Sequence, residues 1–349
     1  MKIFRIFTTL AFLWLAGCGQ PPQETYQQQL FAFGTLVDIT LYGVEPTKAR
    51  EAVQAVDAMF QQQHHDWHAW RRGKLDELNQ SIAAGRSIDT DPGIIELVRM
   101  GQRFERLSHG LFNPAIGHLL KVWGFEQDEP NRAPPDPQTI RRWLEAAPST
   151  EQLHIQGTRI SSTNPAVKLD FGGFAKGYSV AMAVNLLEKR GIHNLIVNAG
   201  GDLCQRGRHG DRPWRIGIRS PDGKGVLASM DLEGNHCVFT SGDYERYFEY
   251  QGKRYAHILD PRSGYPAEGT RSVTVLADDA ALADAAATAL FVAGPRRWRD
   301  IARSMGISDV LLVDTAGDTF MTDTLTGLVH FQQAPANLET VTLSAHNLP

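Results

Sequence analysis

The sequence predicts an α+β fold: one composite domain of mixed, largely antiparallel sheets flanked by helices. Three observations predict it. From Leu30 onward, strand-like and helix-like segments alternate without an internal repeat. In the second half the strands mostly meet as hairpins, which a doubly wound parallel sheet does not permit. No inter-domain linker interrupts the chain after residue 30, so residues 30–335 of the 349 read as a single unit.

The elements follow in order. Residues 1–17 read as a signal peptide, with Lys2 and Arg5 ahead of an apolar run, Ile6 to Leu15, too short to span a bilayer. Leu15-Ala16-Gly17-Cys18 resembles the bacterial lipobox, in which the cysteine, here Cys18, is acylated and becomes the mature N-terminus. Residues 18–29 read as a polar, proline-containing tether. FGTLVDITLYG has the β-branched alternation of a strand. PTKAREAVQAVDAMFQQQHHDWHAW carries apolar residues at helical spacing, beginning at a proline suited to a first turn. DPGIIELVRMGQRFERLSHG is a second helix with an Asp-Pro start and a glycine stop. DEPNRAPPDPQ reads as a loop, TIRRWLEAA as a helix, and LHIQGTRISS and AVKLDFG as short strands. The long helix GYSVAMAVNLLEKRG comes next. NLIVNAGGDLCQRG, WRIGIRS, CVFTSGDYERYFEYQGKRYAHILDP and SVTVLA are strands. DAALADAAATALFVAG is a helix, RWRDIARSMGISDVLLVD a helix and a strand, and residues 336–349 a tail.

Hydrophobic content of 42% and charged content of 21% are those of a soluble globular protein. The balance of 35 basic against 39 acidic residues creates no field that would attract a nucleic-acid backbone. Cys204 and Cys237 are compatible both with pairing in an oxidising compartment and with two buried free thiols.

Several attractive patterns fail. Asp170-Phe171-Gly172 imitates the kinase magnesium triplet, but no HRD-type catalytic loop or glycine loop precedes it. His64, His65 and His68 offer a helical i, i+4 pair, yet with Trp67, Trp70 and Arg71 around them a polar helix end fits better than a metal site. Neither a dinucleotide fingerprint nor a P-loop occurs.

Three segments carry chemistry. In VKLDFGGFAKGYSV an apolar stretch ends at Asp170, two glycines free the backbone, and a helix begins with Lys176 in its first turns. Such a helix start offers N–H groups and positive charge to an anion; a plain strand-to-helix connection is the competing account. In ALADAAATALFV, Asp284 and Thr288 stand four apart on a helix of small residues and project oxygens from one face. Those donors suit Mg²⁺ completed by phosphate or backbone oxygens, although a threonine bonded back into its own helix would give the same pattern. In KRYAHILDPRSGYP, a strand would place His257 and Leu259 on one face, and Asp260 before Pro261 reads as an Asx-type turn former. A lone strand histidine is more often structural than catalytic.

Together these segments resemble the ApbE family of FAD:protein FMN transferases, whose members adopt a T-fold-like domain. The resemblance runs in the family's order through FGT (33–35), LDELN (75–79), LFNPAIG (111–117), WGF (123–125) and KLDFGGFAKGY (168–178). It continues through NAGGDL (198–203), TSGDYERYF (240–248), HILDPRSGYP (257–266) and ADAAATALFV (283–292). It implies an enzyme that splits FAD between its phosphates with Mg²⁺. FMN passes to a threonine, sometimes a serine, of a partner redox protein, and AMP is released. Quinone-reductase and Rnf-type electron-transfer proteins are the family's usual acceptors. The resemblance places Phe33, Trp70, Leu111, Phe112, Asn113, Asp170, Lys176, His257 and Ile258 around FAD. It places Mg²⁺ on the Gly173 carbonyl, Asp284 and Thr288, with Ala287 beside them. Trp70 would stack on a flat ring of FAD. His257 would take the proton of the attacking hydroxyl or, alternatively, orient FAD.

The chain departs from its relatives at three of these positions. Phe33 replaces a methionine, Asn113 stands where aspartate is common, and Gly173 replaces a serine or threonine. The lipobox fits family members that work outside the cytoplasm, as exported lipoproteins facing the periplasm or the outer face of the cytoplasmic membrane. Two other functions fit the same motifs: an FAD pyrophosphatase using water as acceptor, and a lipoprotein that carries FAD without cleaving it. Retention of Asp284, Thr288 and His257 argues against the carrier, since storage needs neither metal nor base.

Overall fold

In the computed structural model, which describes residues 24–127 and 133–343, the chain enters its main sheet at Thr25. Strand β1 (Thr25–Ala32) pairs antiparallel with β2 (Thr35–Tyr42), with Ala32 opposite Thr35. The connection is the pair Phe33-Gly34, at φ 54° and 74°. Positive φ at both positions gives a hairpin turn whose twist matches the strands, at a cost for the non-glycine Phe33. Residues 25–29, expected in the tether, are therefore sheet. The signal peptide, Cys18 and the first tether residues lie outside the described residues. Among the described residues no helix is long and apolar enough to cross a membrane.

Helix α1 (Pro46–Asp66) starts at a proline, with the Glu45 carboxylate capping the N–H groups of Thr47 and Lys48. It stops at Asp66, so His68, Ala69 and Trp70 leave the helix. A further helix, α2 (Lys74–Ala83), holds the LDELN segment. Strand β3 (Ile88–Asp89) precedes α3 (Pro92–Leu107), whose N-cap Asp91 accepts from Ile94 N–H. Then come α4 (Gly117–Trp123), α5 (Pro137–Glu145), the hairpin β4 (Leu153–Gln156) and β5 (Arg159–Ser162), and α6 (Ala175–Lys189).

The second half begins with β6 (Leu195–Ala199), β7 (Asp202–Gly207), β8 (Trp214–Arg219) and β9 (Val226–Leu232). It continues with β10 (Gly234–Gly242), β11 (Tyr247–Tyr250), β12 (Lys253–Ala256) and β13 (Thr270–Ala277). Helix α7 (Ala280–Met305) is broken at Gly294, at φ 70°, ahead of Pro295, so it comprises the two expected helices laid end to end. Strands β14 (Asp309–Asp314), β15 (Thr319–Thr322), β16 (Val329–Phe331) and β17 (Leu338–Val341) close the chain. The last of these lies within the expected tail.

Among the described residues nine strands form the main sheet in the order β1-β2-β6-β7-β10-β13-β14-β15-β17, antiparallel except for the β15–β17 pair. Alternation along the strands divides two cores. Cys237, Phe239, Val273 and Val275 face the helical core, whereas Leu203, Val238, Leu276 and Leu311 face the sheet of β8, β9 and β16. The α+β expectation holds. A third cluster, centred on the fully buried Trp123, joins α4 and α5 to the β11–β12 hairpin.

Two expected strands are shorter than their sequence pattern. AVKLDFG makes only an isolated bridge, Lys168 to Ile116. KRYAHILD leaves the strand after Ala256, and Ile258 and Leu259 are both buried, so the expected alternation of faces across His257 is lost. The sulfurs of Cys204 and Cys237, directly opposite each other on β7 and β10, form a buried disulfide.

Candidate active site

The segment 168–170 is held from both sides. On one side it meets LFNPAIG: Lys168 N–H donates to Ala115 C=O (3.2 Å) and Asp170 N–H to Pro114 C=O (2.9 Å). On the other, the buried Asn79 side chain takes the place of a strand. Its Nδ2 donates to Leu169 C=O (2.9 Å) and its Oδ1 accepts from Leu169 N–H (2.7 Å). A side chain satisfying both backbone groups explains why so strand-like a sequence joins no sheet there.

Asp170 thereby projects toward Trp70. Its Oδ2 accepts from the indole Nε1 (2.9 Å) and its Oδ1 from Gly172 N–H (2.7 Å). Leu111 and Phe112 are buried, and Phe112 packs edge-on against Phe104 and Phe174. A Cβ on Gly173 would lie 2.8 Å from the Phe112 ring, which gives the glycine at this position a local steric reason. Asn113 serves the loop itself: its amide donates to Pro148 C=O (2.9 Å) and accepts from Ala115 N–H (2.8 Å). Phe33 sits at the hairpin tip with its ring near Phe60 and His64.

A charged centre lies where α6, β7, β10 and α7 converge. Lys176, in the first turn of α6, forms an ion pair with the Asp202 carboxylate. The other oxygen of Asp202 accepts from Thr240 N–H (2.8 Å). Asp284 accepts from Gly177 N–H (2.9 Å), and Gly177 allows this approach because a Cβ there would fall 2.4 Å from Ala280 C=O. One turn further along α7, the Thr288 hydroxyl meets the Ser241 hydroxyl at 3.2 Å. Burial pulls the Lys176 pKa down, but the charges of Asp202 and Asp284 outweigh it and raise it on balance. Burial lifts the Asp284 carboxyl to about 8; Lys176 opposes the shift and Asp202 reinforces it.

Asp284 is a buried carboxyl group with one oxygen engaged by Gly177 and no His, Cys or acidic triplet completing a cage among the described residues. Mg²⁺ commonly takes one or two protein carboxylates and leaves the rest of its shell to phosphate and water. The oxygen donors Asp284 and Thr288 fit that pattern. A bound cation would favour the ionised form of Asp284, which burial and the Asp202 charge oppose.

His257 follows β12 in a turn built as expected. Asp260 Oδ1 accepts from Arg262 N–H (2.9 Å), making the Asx turn, and Gly264 N–H closes onto Asp260 C=O (2.8 Å). Trp123 Nε1 donates to Gly264 C=O (2.8 Å), tying the turn to the third cluster. The Arg246 carbonyl receives both His257 N–H (3.0 Å) and the ring Nδ1 (3.2 Å). Because a carbonyl only accepts, Nδ1 carries the hydrogen and Nε2 keeps its lone pair. Burial, then the charges of Arg246 and Lys176, lower the His257 pKa to about 4, so the ring is neutral at pH 7. Arg246 in turn anchors its guanidinium on Phe125 C=O (2.6 Å).

Asp170 and Trp70 are thus brought together, as are Lys176 and Asp284 with Thr288 on the adjacent turn, and the Lys176 charge reaches His257. Asn79, Asp202, Ser241 and Arg246 were not singled out in the sequence. Each lies inside a quoted motif, but its partners are remote in the chain, so only the fold shows its role.

The ApbE family profile matches residues 33–312. An FAD:protein FMN transferase of Rhodobacter capsulatus is 42% identical over 86% of this chain, which spans 58% of that relative's length. One of Vibrio cholerae is 30% identical over 87% of this chain and 92% of its own. The crystal structure of the ApbE protein of Thermotoga maritima superposes with a TM-score of 0.80 at 32% identity, covering 87% of this chain and 99% of its own. Built on this fold and carrying these motifs in sequence order, the chain belongs to the ApbE family.

Proposed function

We propose that this chain is an Mg²⁺-dependent FAD:protein FMN transferase that modifies a threonine or serine of an acceptor redox protein. The observation that carries the proposal is the neutral His257, its Nε2 lone pair free, under the influence of the cationic Lys176. Family membership and the names of the relatives agree with it.

Trp70, fixed by Asp170, offers a face for a flat ring of FAD. Lys176, at the N-terminal end of α6, supplies positive charge for the diphosphate. Mg²⁺ bound to Asp284, Thr288 and the Gly173 carbonyl would neutralise charge gathering on the diphosphate as it cleaves. His257 Nε2 accepts the proton of the acceptor hydroxyl as its oxygen bonds to the FMN phosphorus. The phosphorus–oxygen bond to AMP breaks, and AMP leaves with the bridging oxygen. Acceptors of the quinone-reductase or Rnf type would receive the flavin.

We also propose that the protein is exported and lipid-anchored at Cys18. The lipobox supports this, as does the Cys204–Cys237 disulfide, since such bonds persist in oxidising compartments.

Incubating the mature protein with FAD, Mg²⁺ and a candidate acceptor domain, then measuring AMP and acceptor mass, tests the reaction. Equal yields of AMP and FMN-modified acceptor are expected. AMP without modification of any acceptor tried would indicate a pyrophosphatase, and no AMP at all a carrier.

A further inference from the structure

One cation beside Trp70 has no part in the scheme above. Lys168 C=O accepts from Gly117 N–H (2.9 Å), and the absence of a side chain on Gly117 makes room for the lysine. A Cβ there would lie 2.6 Å from the Lys168 carbonyl oxygen and 3.0 Å from its Cγ. The ammonium ends 4.6 Å from the centre of the Trp70 ring, and that ring is itself held by Asp170. Among the described residues Lys168 forms no ion pair. Burial and the neighbouring Lys121 both disfavour its charge, while Asp76, Asp170 and Glu126 support it only from a distance. Lys176, in contrast, is paired with Asp202. A half-buried ammonium resting on an aromatic face, with no counter-ion in contact, gains from an incoming anion.

We infer that Lys168 is a further substrate-binding residue, contacting a phosphate oxygen of the flavin nucleotide whose flat ring stacks on Trp70. The inference rests on the flavin-transferase reading and deepens it. A ring docked on Trp70 brings its phosphate-bearing arm within the sweep of the four-carbon lysine stem. The ammonium then exchanges a cation–π contact for a charge-assisted hydrogen bond. Lys176 and the oxygens of α7 would serve the cleavage point, and Lys168 the holding of the nucleotide beside Trp70.

The test uses the mature protein without acceptor, titrated with FAD, FMN and riboflavin by flavin fluorescence, and with AMP by competition. Lys168→Met is expected to weaken FAD about tenfold, the size of one charge-assisted hydrogen bond, and to leave riboflavin unchanged. Lys168→Arg should stay near wild type. A parallel loss in FMN assigns the contact to the flavin-side phosphate, and a loss in AMP to the adenosine side; either supports the inference. Unchanged FAD affinity in Lys168→Met overturns it, as does an equal loss for riboflavin, which would signal packing. Lys168→Gln, with its polar end, is read the same way if the methionine variant melts early. Wild-type protein that binds none of the flavins sinks the flavin reading itself, an outcome distinct from a loss confined to the variants.

Discussion

Asn79 and Leu169, 90 residues apart, are joined by two hydrogen bonds that use both backbone groups of Leu169 and both ends of the Asn79 amide. The leucine lies between Lys168 and Asp170, so a helix side chain sets the direction of two residues in the candidate site. Asn79→Ala would leave a buried N–H and C=O unpaired and should cost about 1–3 kcal/mol of stability. Its effect on catalysis should appear as a raised KM for FAD with kcat largely kept, measured on protein shown to be folded. A fall in kcat alone would mean that Asn79 does not position the FAD-binding segment.

Gly177 lets α6 pack directly against the backbone of α7. A methyl group there meets the Ala280 carbonyl at 2.4 Å and the Asp284 Cβ at 2.9 Å, contacts that neither backbone can accept without moving. Gly177→Ala is therefore expected to push the helices apart, at roughly 2 kcal/mol or more, and to break the Gly177–Asp284 bond. On the proposed Mg²⁺-dependent function, turnover should fall further than the loss of folded protein explains. Wild-type turnover in this variant would show that the helix spacing does not govern the proposed metal donors.

The fold class was legible because hairpins and helical periods are local signals, and the turn at Asp260 was legible because its chemistry lies within a few residues. The strand pattern over AVKLDFG forms no strand because Asn79 supplies one of its edges, which nothing local reveals. Residues 25–29 looked like tether because β1 is an edge strand whose burial alternates weakly: Thr25, Gln27 and Gln29 are exposed. Asp202 carries no local signal of its role, because an aspartate after two glycines has the form of a turn former. Only the fold brings Lys176 and the Thr240 N–H to its two oxygens.

The Cys204–Cys237 disulfide closes a loop with a sequence separation of 33 residues and joins β7 to β10 two residues beyond Asp202. Constraint of the unfolded chain by such a loop is worth about 4 kcal/mol. The double variant Cys204→Ala, Cys237→Ala should melt several degrees lower than the oxidised protein. Because both cysteines are fully buried, a mild reductant should act only as slowly as the protein opens. Rapid reduction under native conditions would contradict that burial.

In the proposed role of proton acceptor, His257 ties the reaction to pH. Its pKa in the folded protein is about 4, against 6.5 for an ordinary histidine, with burial the largest cause and the Arg246 and Lys176 charges next. The neutral ring is the form that accepts a proton, so the acid limb of kcat/KM should lie below pH 5 and not near 6.5. The same depression carries a stability consequence. The unfolded chain takes up the proton first, so stability contributed by the neutral, half-buried ring is complete above 6.5 and is lost as pH falls toward 4. His118, stacked on Trp143 and lowered to about 4 by burial and by Lys168 and Lys121, acts in the same sense. Melting temperatures should therefore decline from pH 6.5 to 4, and His257→Gln should flatten part of that decline while removing the transfer activity. The glutamine keeps a polar side chain of similar reach but cannot take up a proton, so it separates orientation from base catalysis. If His257→Gln transfers FMN at the wild-type rate, His257 orients FAD and another group takes the proton.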